Sequence, residues 1–391
     1  MGERTRTIRT APDDSTGPTP GSRAAAGANT EAGGGGRPPR NEDELHAWLI
    51  RALRVHVPRR GLADGDGPFE YLAHAFFEGR PPGRRAGSPA APGGREARPG
   101  DCVVWANRGG GKTFLAAVAT VLDLVFKKGI EVRLLGGSLE QSRRMHEHLS
   151  RLLRMKELAA DVGPLKPKIT ARGAVLANRS RAEVMAQSER SVRGTRVQKV
   201  RCDEADLFQP DVWHAVQLTT RSIDLAGPWG DSVLGSVEAL STMHRPMGLM
   251  RSIVRACETP AVALDPLGGG EPARRLIRWG VTDVLEPCPA TRSCQRCCLW
   301  DECLGRAKGR APEQAGHVRI DDAAAMKTRV PLEVWRSEML CLGVSRGSCV
   351  YPDFDRKEHV SKGGEHDDGA LGGGDRLRLA EPDGGPVGSA G

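Results

Sequence analysis

Aromatic residues are scarce. Seven Phe, seven Trp and two Tyr make up 4% of the chain. A platform that stacks successive bases of a single strand needs many aromatic faces, so that mode of binding is disfavoured. No secretory leader is expected either, because the N-terminal stretch carries no apolar core segment. The longest apolar run, Thr113 to Phe126, contains Asp123 and falls short of the roughly 20 residues that span a bilayer. The expected location is therefore the cytoplasm, with no membrane partner. Without a leader, ten cysteines point to metal ligands or buried thiols rather than disulfides. Large apolar side chains are nearly missing from Met1 to Arg40, where Ile8 alone joins the initiator. They are sparse again at the C-terminal end, with Leu371, Leu377, Leu379 and Val387. Such segments bury too little surface to offset their ordering entropy. They read as disordered tails over residues 1–41 and 356–391.

Basic residues, in contrast, are in excess. Fifty-seven Lys and Arg against 49 Asp and Glu give a net charge of +8 and a pI near 9.1. That balance favours a polyanionic partner bound through its phosphates, nucleic acid first among them, although a solvated basic surface gives the same count.

The periodicity predicts an α/β fold: a parallel sheet with helices on both faces. An amphipathic helix is expected over 41–60, with Leu45, Trp48, Leu49 and Leu53 on one face and Pro58 as its stop. A second short helix, Phe69 to Phe77, either walls a nucleotide base or simply packs in the core. A Gly/Pro/Arg linker then covers about 79–100, so that residues 42–100 form a helical segment and linker. The main domain occupies 101–262. It opens with a strand over 102–106, a helix carrying Leu115, Val118, Leu122, Val125 and Phe126, and a strand over 130–135. Lys127 and Lys128 suit the dipole at that helix's C-terminus, and Gly129 its cap. Ser138 and Gln141 have the spacing of a capping box. Ile169–Ala177 and Ala182–Gln187 read as a hairpin insertion.

The chemistry concentrates in Ala106, Asn107, Arg108, Gly109, Gly110, Gly111, Lys112 and Thr113. A strand precedes this turn and a helix follows it, which is the layout of a phosphate-binding loop. Backbone N–H groups of Asn107 and the glycines can wrap a polyphosphate, and the helix N-terminus adds partial positive charge. Lys112 reaches the outer phosphates, and the Thr113 hydroxyl sits on Mg²⁺. Ala106 stands where the strict pattern has glycine, so the loop is a variant. A second signature, Asp203 and Glu204, ends the strand pattern of residues 197–202. Asp203 can hold Mg²⁺ and Glu204 can deprotonate the attacking water of ATP hydrolysis. Lys199 and Arg201 interrupt that strand's apolar pattern and predict a partly exposed strand. After a strand pattern over 232–240, Ser241 and Thr242 can sense a γ-phosphate or form an ordinary turn.

Taken in order, these residues resemble the large terminase subunit of tailed phages, an ATPase that pumps DNA into a prohead. The resembling parts are the loop Arg108–Thr113, the segment Gly136–Ser142, Ser191–Gly194, the pair Asp203 and Glu204, and Ser241 with Thr242, within roughly residues 42–360. The resemblance implies a helicase- and terminase-like P-loop NTPase using ATP and Mg²⁺. Its partners would be double-stranded DNA, a portal, a small terminase subunit and further copies in a ring on DNA. It implies that Arg108 acts on the γ-phosphate, that Arg193 acts on a neighbouring subunit's site or on DNA, and that Thr242 couples hydrolysis to movement.

Cys288, Cys294, Cys297 and Cys303 are separated by five, two and five residues. Four thiolates at such spacing can enclose Zn²⁺, or alternatively a four-iron cluster, and so fold a small Cys-rich subdomain within 263–355. Reduced, packed cysteines are the other reading. Terminases of this type usually continue into a nuclease after a segment resembling Gly347–Asp355. Asp367, Asp368 and Asp375 lack the apolar strands that would bring carboxylates together on two metal ions, so no nuclease activity is expected. The expected lack of a nuclease keeps a second reading open, a degenerate prophage remnant that binds nucleotide or DNA without working as a motor. A helicase is disfavoured because no second helicase-type domain follows Thr259.

Overall fold

Five residues, Cys102–Ala106, are buried on both sides and form β1, which pairs in parallel with two neighbours at once. A run buried on both faces belongs at the centre of a helix-covered parallel sheet. In the computed structural model, residues 36–61, 66–80, 100–188, 192, 196–223, 233–245, 247–258, 274–311 and 314–343 are described, and every structural statement concerns these. The sheet has eight strands: β1, β2 (Glu131–Gly136), β3 (Lys168–Thr170), β4 (Gly173–Val175), β5 (Arg181–Met185), β6 (Lys199–Asp203), β7 (Ser236–Ser241) and β8 (Arg275–Trp279). Their spatial order is β3-β4-β5-β2-β6-β7-β1-β8. Pairing is parallel from β5 to β8 and antiparallel at β3-β4 and β4-β5.

The expected hairpin is therefore no insertion. β3 and β4 extend the main sheet at one edge, and β5 lies parallel to β2. β8 lies within the segment assigned to the Cys-rich part, yet it pairs with β1 from Cys102↔Arg275 to Ala106↔Trp279.

One face of the sheet carries α1 (Glu42–Leu53), α2 (Pro68–Phe77), α3 (Lys112–Phe126), α4 (Leu139–Leu153) and α5 (Lys156–Val162); the other carries α6 (Pro210–Gln217) and α7 (Leu249–Glu258). The helix α1 begins where Asn41 accepts from the Glu44 amide. It ends at Leu53, short of residue 60, because Arg54 adopts a left-handed conformation at φ 53° and Val55 bonds back to the Leu49 carbonyl. Leu45, Trp48, Leu49 and Leu53 are all buried, and each such side chain contributes about 1.5–3 kcal/mol relative to exposure. Nine of the ten α2 residues are buried, so that helix packs in the core. Ser138 caps α4 by accepting from the Gln141 amide, but the Gln141 Oε1 atom finds no partner, so the capping box is half made.

The strand β6 departs most from expectation. All five residues are buried, with Lys199 at 1% and Arg201 at 0% exposure. Val200 and Cys202 face the core under α6 and α7, while Lys199, Arg201 and Asp203 share the other side with α3. Arg201 Nη2 donates to Asp123 at 2.5 Å, its Nε donates to Glu238 at 2.9 Å, and its Nη1 donates to Thr120 at 3.0 Å. Lys199 Nζ donates to the Ala75 carbonyl at 2.6 Å and lies 3.4 Å from Asp123. Lys127 does not serve the helix dipole from solvent: its Nζ is buried 2.8 Å from both Glu78 and Asp123. Tyr71 donates to Glu238 at 2.6 Å. Three cations thus meet three carboxylates, an arrangement that ionised groups require when taken out of water. The ammonium and guanidinium groups hold Asp123 well below the usual carboxylate range, against the opposing effect of burial.

Residues 281–343 form a smaller cluster around Val281, Leu285, Leu299, Ile320, Ala323, Trp335 and Met339, with α8 (Trp300–Cys303) and α9 (Ile320–Arg329). No helix among the described residues is long and apolar enough to cross a membrane.

Candidate nucleotide site

The parallel strands β1, β6 and β7 end side by side, and each delivers a residue of the expected set at its C-terminal end. In open α/β sheets this is the edge where ligands bind. After β1 the chain turns through Gly109 at φ 73° and Gly111 at φ 86°, left-handed conformations that favour glycine. A Cβ on Gly110 would collide with the Asn107 side chain. Helix α3 starts at Lys112, so its free N–H groups face the loop. The buried end of β1 also accounts for Ala106: the residue is 0% exposed and pairs in register with Trp279.

Lys112 is folded back into the loop. Its Nζ donates to Thr242 Oγ1 at 2.7 Å, to the Asn107 carbonyl at 3.0 Å and to the Ala106 carbonyl at 3.4 Å. Thr242 in turn donates to the Ala106 carbonyl at 3.1 Å. Thr113 Oγ1 donates to Asp203 Oδ2 at 2.6 Å. The other oxygen, Asp203 Oδ1, is buried without a hydrogen-bond partner, as is Asn107 Oδ1. Burial, opposed by the Thr113 hydroxyl and by Lys112, pushes the Asp203 carboxyl up to about 6. An unpartnered buried carboxylate oxygen beside a threonine hydroxyl suits a hard divalent cation with oxygen ligands. The site residues therefore fit Mg²⁺.

Glu204 follows Asp203 in a left-handed conformation, φ 53° and ψ 49°. The turn separates the two carboxylates. Asp203 faces α3, while Glu204 Oε2 lies 3.1 Å from His244 Nε2 and accepts from Ser241 at 3.4 Å. Burial alone would raise the Glu204 carboxyl. The hydrogen bond from His244 and the Lys112 charge outweigh it and leave the group lowered, while the bond to Glu204 raises His244.

The geometry thus brings together Asn107, Lys112, Thr113, Asp203, Glu204 and Thr242. Arg108 stands apart: its side chain is 74% exposed, and its guanidinium lies 3.5 Å from Glu338. Arg193, Ser191 and Gly194 lie outside the described residues, as do Gly347–Asp355 and the carboxylates Asp367, Asp368 and Asp375.

Four contributors carried no sequence signal strong enough to assign them a role. Buried Asp206 accepts from the amides of His244, Arg245 and Met250 and so shapes the turn after β7. Trp279 donates from Nε1 to the Gly110 carbonyl at 3.1 Å. His317 Nε2 lies 2.8 Å from the Gly109 carbonyl. Glu338 accepts the Arg108 amide on its carbonyl at 2.9 Å.

The cysteines do not form the expected metal cage as placed. Among the described residues, no three His, Cys, Asp or Glu side chains stand close enough together to hold a metal ion. Cys288, Cys294, Cys297 and Cys303 do line one cavity of about 20 Å³.

No protein-family profile and no curated protein matches the sequence. Several solved structures are similar to it in fold. The large terminase ATPase domain of Thermus phage P74-26 is 14% identical with a TM-score of 0.37, over 61% of this chain and 86% of that one. The large terminase of bacteriophage HK97 is 14% identical with a TM-score of 0.43, over 74% of this chain and 54% of that one. A thermophilic-bacteriophage large terminase in complex with ADP is 12% identical with a TM-score of 0.39, over 75% of this chain and 57% of that one. This chain therefore spans about half the length of the latter two proteins.

Proposed function

We propose that this chain is an ATP-hydrolysing, DNA-translocating motor of the phage terminase type. One observation carries the ATPase part: Lys112, Thr113, Asp203, Glu204 and Thr242 gather at the ends of three adjacent parallel strands, with Lys112 bonded to Thr242 and Thr113 bonded to Asp203. Lys112 and the amides around Asn107, Gly109, Gly110 and Gly111 bind the phosphates of ATP. Thr113 and Asp203 hold Mg²⁺, which offsets charge on the phosphate oxygens. Glu204 accepts the proton of the attacking water, and Arg108 stabilises the charge on the transferred phosphoryl group. Thr242 touches Lys112 and follows β7 directly, so it can pass the loss of the γ-phosphate into the sheet.

The DNA part rests on the net charge of +8 and on the sequence resemblance. Phosphate contacts by Lys and Arg release counterions, so affinity for double-stranded DNA should fall steeply as salt rises. Portal and small terminase subunit belong to the same reading as partners. The test is ATP hydrolysis with and without double-stranded DNA. Wild type should be DNA-stimulated, and Lys112→Ala and Glu204→Gln should lose turnover. Equal hydrolysis by all three proteins would refute the site assignment.

We infer zinc as the metal for Cys288, Cys294, Cys297 and Cys303. The support is the spacing of four thiols that line one cavity, a donor set that suits tetrahedral zinc. One equivalent of zinc in anaerobically purified protein is the expected result, and metal-free protein would sink the assignment.

A further inference from the structure

Glu338 lies in a single π-helical turn, Trp335–Met339, and such turns recur at functional sites. Its two carboxylate oxygens face different partners. Oε2 lies 3.5 Å from the Arg108 guanidinium, and Oε1 lies 4.0 Å from His244 Nδ1. The opposite nitrogen of the same imidazole meets Glu204 at 3.1 Å. One carboxylate thus touches the arginine assigned to the γ-phosphate directly and reaches the assigned base through His244.

We propose that Glu338 is a positioning residue that neutralises Arg108 when no triphosphate is bound and competes with the γ-phosphate for its guanidinium. The inference rests on the nucleotide-site reading above. Among the described residues, Arg108 makes its one ion pair with Glu338. The carboxylate lies against Nη1, one of the donors a phosphate would engage, so the two anions compete for that donor and for the guanidinium charge. ATP brings a γ-phosphate to make the exchange, and ADP does not. Glu338 therefore lowers affinity for the triphosphate selectively. The Arg108 amide donates to the Glu338 carbonyl at 2.9 Å, a bond between main-chain atoms that survives a side-chain substitution. Glu338→Gln should accordingly keep the loop docked while removing the charge.

The experiment is calorimetric titration of the full chain, with Mg²⁺, by ADP and by a non-hydrolysable ATP analogue. In Glu338→Gln the analogue should bind about two- to fivefold more tightly than in wild type, the scale of a partly exposed ion pair, with ADP affinity unchanged. In the Arg108→Ala background, Glu338→Gln should have no such effect. Parallel changes in both affinities, no change in either, or a gain that persists without Arg108 would each overturn the proposal. Wild type that binds neither nucleotide would refute the nucleotide site itself, and this inference with it.

Discussion

The two ends of β6 use the same side of one strand for opposite purposes. At the start of the strand, Lys199 and Arg201 are enclosed by Asp123, Glu238, Glu78 and Tyr71, with every cation matched by a carboxylate. At its end, Asp203 keeps one oxygen unpartnered, its carboxyl is raised to about 6, and Glu204 beside it sits in a left-handed turn. Ion pairs neutralise the carboxylates of the first region, whereas a missing hydrogen-bond partner and a left-handed backbone leave the second suited to a ligand under the proposed reading. Buried charge by itself does not mark a functional site. The marker is charge left incompletely satisfied at a strand end.

Mutations should separate the two ends. The largest effect belongs to the site: Arg108→Ala should lower DNA-stimulated ATP turnover by roughly three to five orders of magnitude while the urea midpoint stays put. A matching fall in stability would erase the distinction. Next, Arg201→Met leaves Asp123 and Glu238 short of their cation and should destabilise the fold by about 3–5 kcal/mol, measured by urea unfolding.

Smaller effects sharpen the contrast. Burial pushes the His74 imidazole, whose Nε2 lies 3.3 Å from the Gly100 carbonyl, down to about 4. The unfolded chain therefore binds a proton near pH 6.5 that the native state refuses, and stability falls as pH drops through that window. The His74 share of that loss is about 2 kcal/mol between pH 7 and pH 5; the raised Asp203 carboxyl works against it in the same window, so the share is read as the difference in slope between wild type and His74→Gln. Asp123, held low by Lys127, Lys199 and Arg201, works in the same direction as His74 but loses its contribution only below the pKa of an unfolded aspartate. The smallest effect is a control between the two regions: Ser138→Ala removes the cap of α4 at a cost of about 1 kcal/mol. A cost several times larger would make the cap part of the site's architecture.

How much of this was legible depended on the distance between partners. The strand, glycine turn and helix at 102–126 could be read because these elements follow one another without interruption. Asp203 and Glu204 were found by their place at the end of a strand pattern. Lys199 and Arg201 were misread as exposure because their counterions come from Glu78, Asp123 and Glu238, on three other elements. The strands at 168–185 were seen, but their placement in the main sheet depends on pairing with β2, which no local pattern encodes. The Cys spacing suggested a cage without fixing whether the thiols converge. Glu338 gave no signal at all, since its relation to Arg108 spans 230 positions.

The side of β6 shared by Lys199, Arg201 and Asp203 has a consequence for folding. Parallel strands that pair across long stretches of sequence close slowly, and side-chain period two means that a slip of one residue inverts every contact. Such a slip would press Lys199 and Arg201 into the apolar layer of Val103, Leu135 and Val237 and turn Val200 and Cys202 toward Asp123 and Glu78. The penalty for that error is electrostatic and arises at the opposite end of the strand from Asp203. The salt-bridged end of the strand thus acts as a register lock, which delivers Asp203 opposite Thr113 before any nucleotide is present.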